Sequence, residues 1–139
     1  LEELYEKCDV LIYHTTYNET NHHMVNRDTI AKMKDGVVLV NCARGGLFDA
    51  EAVLEAVESG KIGGVGLDVI EEEGILKKQP RYEKCPIPVL GKLLQHSNVI
   101  YTPHSAFYTD EAERNLSEGT VQNLNSYRLT GASEKELVK

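Results

Sequence analysis

Four short apolar runs of this 139-residue chain each end in polar or ionisable side chains. An arginine can bind a carboxylate through two parallel hydrogen bonds, a histidine can exchange a proton near neutral pH, and a nearby glutamate can orient and charge that histidine. Any one of these residues alone is more often a surface ion-pair partner or a satisfied loop residue. Placed together, they would form a reaction centre for a small anionic substrate. The polar segments are residues 14–16, 41–46, 68–73 and 102–106.

The apolar runs have the length and composition of β-strands. We predict strands at 10–14, 37–40, 64–69 and 98–101, because these runs are short and contain β-branched or aromatic residues. The run at 37–40 is apolar at every position, which is typical of a strand inside a parallel sheet that is covered by helices.

Helices are predicted between these strands from capping residues and from apolar spacings of three and four. Asn26 and Asp49 are suitable N-caps, and glycines follow where the helices should end. The order of elements predicts an α/β parallel sheet with right-handed crossovers, whose ligands bind at the carboxyl ends of the strands. The predicted helices cover 27–34, 50–59 and 109–130, with one further turn around 90–94 in an irregular insertion at 70–97.

Composition restricts the class of protein. With 41% hydrophobic and 27% charged residues, the chain has the balance of one soluble globular domain. Its net charge of −7 argues against nucleic acid and anionic membranes as partners. No apolar run approaches the roughly 20 residues of a membrane-spanning helix, and we expect a cytoplasmic protein.

No metal site is predicted from the cysteines or histidines. The three cysteines lie far apart in the sequence, so they predict neither a disulfide framework nor a cysteine metal site. The adjacent His22 and His23 are expected to point in different directions, which favours surface or loop roles for them.

Three segments carry the most specific motifs of the chain. They read Val-Asn-Cys-Ala-Arg-Gly-Gly-Leu-Phe-Asp at 40–49, Gly-Gly-Val-Gly-Leu-Asp-Val at 63–69 and Thr-Pro-His-Ser-Ala-Phe-Tyr-Thr at 102–109. In order and spacing they resemble three signatures of the D-isomer-specific 2-hydroxyacid dehydrogenases. The ending at 106–109 and the long insertion after Glu73 are most similar to the branch of D-lactate and D-2-hydroxyisocaproate dehydrogenases.

The resemblance implies three catalytic residues. Arg44 would hold the substrate carboxylate and help to polarise the keto oxygen, and His104 would donate a proton to that oxygen during reduction. Glu73 would pair with His104 and keep it protonated over the working pH range. On the residues alone, Glu71 and Glu72 compete with Glu73 for this role.

The resemblance also implies a site for NAD, with NADP not excluded. Asp68 would accept a hydrogen bond from the nicotinamide carboxamide, and Cys42 and Ala43 would meet the ring mainly through their backbone. The alternative role for Cys42 is that of a small buried side chain that fills space in the core. This role is preferred to any chemistry of the Cys42 thiol. The remaining predicted cofactor contacts are His14, Thr15, Arg44, His104 and Ala106; His14 could equally be a packed residue at the end of a strand.

One half of a dinucleotide site has no counterpart in the sequence. The chain contains no Gly-x-Gly-x-x-Gly motif at the start of a helix, and no acidic residue about 20 positions later. We therefore interpret residues 1–131 as the second mononucleotide half of a Rossmann-type domain, with a return helix at 109–130 and a C-terminal tail at 132–139. The fragment alone is expected to be inactive.

These observations predict an oxidoreductase. The intact enzyme would transfer a hydride between NAD(H) and a 2-keto acid or D-2-hydroxy acid, with D-lactate and pyruvate as the first choice, and would be a homodimer. The alternative is a non-catalytic, NAD-sensing regulatory protein, similar to the corepressor relatives of the family, on the same scaffold.

Overall fold

The computed structural model describes residues 1–78 and 85–133 of the chain, which divides into two units, Leu1–His104 and Ser105–Lys139. No helix among the described residues is long and apolar enough to cross a membrane. The strands are β1 (Val10–Tyr13), β2 (Val37–Asn41), β3 (Ile62–Leu67) and β4 (Val99–Tyr101). The α-helices are α1 (Glu2–Lys7), α2 (Arg27–Ala31), α3 (Ala50–Glu58), α4 (Pro88–Leu93) and α5 (Asp110–Thr130), and 3₁₀ turns span Glu19–Asn21, Gly45–Leu47 and Glu73–Lys78.

The four strands of the first unit form one sheet in the order β1-β2-β3-β4, and every pairing is parallel. This confirms the predicted α/β fold of the Rossmann type. In β2, Leu39 lies between Leu11 and Val65 and is fully buried. Val38 and Val40, on the other face of β2, are half-buried, so the apolar run agrees with an interior strand.

One face of the sheet carries the core. Leu11, Leu39 and Val65 point to this face and join one apolar cluster with Tyr5 of α1, buried residues of α2 and α3, and Leu93 of α4. The opposite face is more open: Val10, Ile12 and Ile100 are 51%, 59% and 68% exposed.

The side chains that were predicted to cap α2 and α3 do so in the structure. Asp49 accepts hydrogen bonds from the amides of Glu51 and Ala52 at the start of α3, and Gly60 follows that helix with φ +77°. Asn26 caps α2 in the same way, but α2 ends at Ala31, three residues before the predicted end. The amides of the next two residues bond three positions back instead of four, because the chain tightens into a 3₁₀ turn.

Other predicted boundaries are shifted by one or two residues. The third strand covers 62–67 and not 64–69. It begins earlier because Ile62 pairs with Val37 of β2, and it ends at Leu67, where its pairing with β4 stops and the chain turns away at Asp68. The first strand ends at Tyr13, the fourth begins at Val99, and the predicted turn at 90–94 is α4, which begins at Pro88. Helix α1 and the three 3₁₀ turns were not predicted from the sequence.

The second unit consists mainly of α5, which confirms the helix predicted at 109–130. The Thr109 hydroxyl accepts a hydrogen bond from the amide of Ala112, and Gly131 ends the helix in the left-handed conformation with φ +73°. Residues 134–139, and with them most of the predicted tail, lie outside the described residues. The assignment of residues 1–131 to one half-domain stays a prediction.

Candidate active site

The segments that follow the four strands begin at the same edge of the sheet. Tyr13, Asn41, Leu67 and Tyr101 end their strands and are aligned with one another across the sheet. The parallel strands therefore bring the predicted polar residues to one side of the fold, as the order of the elements predicted.

Asn41, at the end of β2, organises the loop that carries Arg44. Its side chain is fully buried; Oδ1 accepts from the amide of Ala43 at 3.1 Å and Nδ2 donates to the carbonyl of Arg44 at 2.9 Å. The Arg44 side chain is exposed, and its Nη1 donates to the Ala43 carbonyl at 2.6 Å. Sequence reasoning missed Asn41; the available signal was one polar residue that ends an apolar strand.

Gly45 lets this loop lie against the segment that follows β3. A Cβ at Gly45 would stand 2.2–2.5 Å from backbone atoms of Ile70 and Glu71, so only glycine fits here. The two segments border an open cleft of about 660 Å³, whose lining includes Arg44, Gly46 and Glu73. This approach of two backbones brings the predicted arginine and glutamate to one cleft.

Glu73 and His104 are in direct contact. Glu73 Oε1 lies 2.5 Å from His104 Nδ1, and the amide of Ile70 donates to the other carboxylate oxygen at 3.4 Å. The two side chains are 22% and 30% exposed. The His104 amide donates to the carbonyls of Asp68 and Thr102, and its φ of +52° lies in the left-handed region, which non-glycine residues rarely adopt.

The two neighbouring glutamates have different surroundings. Glu71 bonds to His23, with Nε2 3.1 Å from both carboxylate oxygens, while Glu72 is exposed and has φ +60°. The expectation that His22 and His23 diverge is wrong, since their rings stack with centroids 3.8 Å apart. The left-handed backbone at His23, φ +49°, turns the second ring back over the first.

Asp68 is buried at the end of β3, with 3% of its surface exposed. The hydroxyl of Thr102 donates to its Oδ1 at 2.5 Å, and the backbone amide of Asp68 donates to the carbonyl of Asn41 at 2.9 Å. These bonds tie the ends of β2, β3 and β4 together. Thr102 is a second residue whose part in the site the sequence analysis did not predict.

A second open cleft, of about 430 Å³, lies beside the first. Hydroxyl groups, an imidazole and the Arg44 guanidinium surround it, and this donor set suits a polar, anionic ligand such as part of a dinucleotide. The lining includes five of the predicted cofactor residues and thus brings them together: His14, Thr15, Cys42, Ala43 and Arg44. Asp68 and His104 lie outside the lining of this cleft, and Ala106 belongs to the second unit.

Comparison with known proteins identifies the class to which this fold and this edge belong. The model of the NAD-binding domain of D-isomer specific 2-hydroxyacid dehydrogenases matches residues 1–106, and the chain belongs to this family. This confirms the resemblance that the three motifs indicated.

Three relatives show which members of the family this chain is similar to. The chain is 41% identical over 139 residues to the aromatic 2-oxoacid reductase of Clostridium sporogenes, covering 99% of this chain and 42% of the reductase. Its fold is similar to a D-lactate dehydrogenase from Sporolactobacillus sp., with a TM-score of 0.92, 32% identity, and coverage of 99% and 42%. A D-lactate dehydrogenase from Aquifex aeolicus, solved with NAD and lactic acid, has a TM-score of 0.81, 36% identity, and coverage of 99% and 44%. The chain thus spans about two fifths of the length of these relatives.

Proposed function

We propose that the chain supplies the proton-transfer and substrate-anchoring residues of an NAD-dependent dehydrogenase that interconverts a 2-keto acid and a D-2-hydroxy acid. The observation that carries the proposal is the Glu73–His104 contact, which lies at the edge of the sheet where Arg44 shares a cleft with Glu73. D-lactate and pyruvate are the proposed pair, supported by the similarity to D-lactate dehydrogenases.

In this proposal Arg44 binds the substrate carboxylate. Its guanidinium is exposed beside the cleft, and a planar fork can make two parallel charge-assisted bonds to a carboxylate. The buried Asn41 side chain holds the backbone of the loop that carries Arg44, so the guanidinium extends from a fixed backbone.

His104 exchanges the proton with the substrate oxygen. Because Nδ1 faces the Glu73 carboxylate, we assign proton delivery to Nε2, with Glu73 holding the orientation of the ring. A nicotinamide, when bound, would supply the hydride during reduction and accept it during oxidation. Arg44 and the charged His104 would both stabilise the negative charge that develops on the substrate.

The cofactor site is part of the same proposal. His14, Thr15, Cys42 and Ala43 would surround one part of NAD in the second cleft, supported by its polar lining. Asp68, His104 and Ala106 are the other proposed contacts. A cytoplasmic location is also proposed, supported by three cysteines that are all free. Assembly as a homodimer stays a prediction.

The test uses the intact protein with a panel of 2-keto acids, NADH and NADPH, and chiral chromatography of the products. We expect reduction of pyruvate to the D-isomer with NADH. His104→Gln should abolish turnover, whereas His96→Gln, which changes a histidine outside the lining of both clefts, should leave turnover unchanged. Absence of turnover with every acid and both cofactors would reject the enzyme and favour a regulatory protein.

A further inference from the structure

A second group of chemically reactive side chains stands beside the proposed catalytic residues. It consists of His22, His23 and Glu71, which we call the His-His-Glu cluster, and the proposed proton transfer uses none of the three. One potential ligand atom from each residue lies within 4.8 Å of those of the other two. His23 Nε2 is 3.1 Å from Glu71 Oε2, and His22 Nδ1 is 4.0 Å from Glu71 Oε1.

The backbone around His23 holds the cluster in place from outside its own loop. The amide of His23 donates to the carbonyl of Gly46 at 2.8 Å, and the side chain of Asn26 donates to the carbonyl of His23 at 2.9 Å. A left-handed backbone is strained for a non-glycine residue, so it persists only where surrounding contacts fix it. Glu71 reaches the same point from a segment 48 residues further along the chain than His23.

The cluster is also accessible from solvent. The side chains of His22, His23 and Glu71 are 47%, 34% and 38% exposed. The Tyr17 hydroxyl lies 3.0 Å from His22 Nδ1, so a ligand at this nitrogen must compete with one exposed hydrogen bond. A small cation could therefore enter without unfolding the loop, and water could complete its coordination.

The donor types select the kind of ion. Two imidazole nitrogens and one carboxylate form the mixed set that suits Zn²⁺ and similar divalent transition metals, with one position left for water. Mg²⁺ and Ca²⁺ prefer oxygen ligands throughout, so they fit poorly. The carboxylate also offsets part of the positive charge of the ion.

We propose that the His-His-Glu cluster is a binding site for a divalent transition-metal ion of the Zn²⁺ class. The site lies at the cleft that Glu71 and His23 share with Arg44 and Glu73. It involves neither the pairing of Glu73 with His104 nor hydride transfer, so it stands or falls separately from the proposed enzymatic activity.

The test is a Zn²⁺ titration of the metal-free 139-residue chain, followed by NMR of the histidine ring nitrogens. We expect one equivalent to shift the ring signals of His22 and His23, while those of His14, His96 and His104 stay in place. Because the readout is local to each ring, binding at any of the three free cysteines is distinguished from binding at the cluster. Mg²⁺ at the same concentration should shift none of the five.

Two variants and a matched control complete the test. His22→Gln should weaken Zn²⁺ binding at least about tenfold, since loss of an outer-shell partner alone costs about 10- to 100-fold in metal affinity. Glu71→Gln should weaken it similarly, and His96→Gln should not. Circular dichroism checks folding; if Glu71→Gln unfolds, the exposed His22 decides the result. Unchanged affinity in His22→Gln, or shifts confined to other histidines, would overturn the proposal.

Discussion

Replacing Gly45 by alanine tests whether close approach of two backbones positions the candidate site. The added Cβ would stand 2.2 Å from the carbonyl carbon of Ile70, 2.3 Å from the amide nitrogen of Glu71 and 2.5 Å from the carbonyl oxygen of Ile70. All three are backbone atoms, which cannot rotate away. One segment must therefore move by roughly 1 Å, and overpacking of this kind costs about 1–3 kcal/mol or more. We expect Gly45→Ala to lower the free energy of unfolding by about 3 kcal/mol.

Two other glycines provide matched controls. At Gly46 the nearest atoms to an added Cβ belong to the exposed ring of Tyr17, which can turn, so Gly46→Ala should cost less than about 1 kcal/mol. Gly119 lies inside α5 with nothing within 4 Å of the added atom, so Gly119→Ala should raise stability by about 0.5–1 kcal/mol. Urea unfolding followed by far-ultraviolet circular dichroism measures all three, since the chain has no tryptophan. If Gly45→Ala is as stable as Gly46→Ala, the backbone contact does not fix the loop.

Four further predictions concern the proposed catalytic residues, a buried tyrosine and the binding of NADH. If the proposed activity holds, Arg44→Lys in the intact protein should lower kcat/KM by the equivalent of about 2–4 kcal/mol, because lysine cannot make the two parallel bonds of the guanidinium; unchanged kcat/KM would contradict the assignment of Arg44 to the site. Glu73→Gln should lower keto-acid reduction by about tenfold or more, because it removes the charge-assisted contact that orients the His104 ring; an equal loss in Glu72→Gln would show that the wrong glutamate is assigned. Tyr13→Phe should leave the free energy of unfolding unchanged or raise it by up to about 1 kcal/mol, since no hydrogen bond of good geometry satisfies the buried Tyr13 hydroxyl among the described residues, and the neighbouring Tyr5 hydroxyl donates to the Met24 carbonyl instead. Burial raises the pKa of Tyr13, so wild-type stability should fall above about pH 10, where the unfolded tyrosine ionises, and this fall should be smaller in the variant. The 139-residue chain alone should not bind NADH at micromolar concentration in a fluorescence titration, because it has no glycine-rich loop for the pyrophosphate.

Most of the fold could be predicted because its signals are local. The apolar run of β2 and the N-caps Asn26 and Asp49 are readable from a few neighbouring residues, and each of them has the predicted place in the structure. Boundaries were less accurate where a distant contact decides them. The end of β3 is set by its pairing with β4, a strand more than 30 residues later in the chain.

The candidate site could be predicted only in part, because several of its residues have left-handed backbone. The rule that adjacent side chains diverge holds for regular backbone, and it fails at His23, where φ is +49°. That conformation is fixed by bonds from the His23 amide to Gly46 and from Asn26 to the His23 carbonyl, which no local pattern reveals. The same applies to the three consecutive glutamates, since the positive φ at Glu72 changes the direction of the chain between the other two.

The residues that hold the proposed catalytic groups are more deeply buried than those groups themselves. Asn41 and Asp68 are 0% and 3% exposed. The Asn41 side chain bonds to the loop that follows β2, and the Asp68 side chain accepts a hydrogen bond from Thr102, which follows β4. A buried polar group is costly unless its bonds are made, so each of these side chains disfavours any other arrangement of its loop. Arg44 can therefore be exposed and still be presented from a fixed backbone, because the order of its loop comes from Asn41 beneath it. On this reasoning, a substitution at Asn41 should disturb the position of Arg44 even though it leaves every proposed catalytic side chain unchanged.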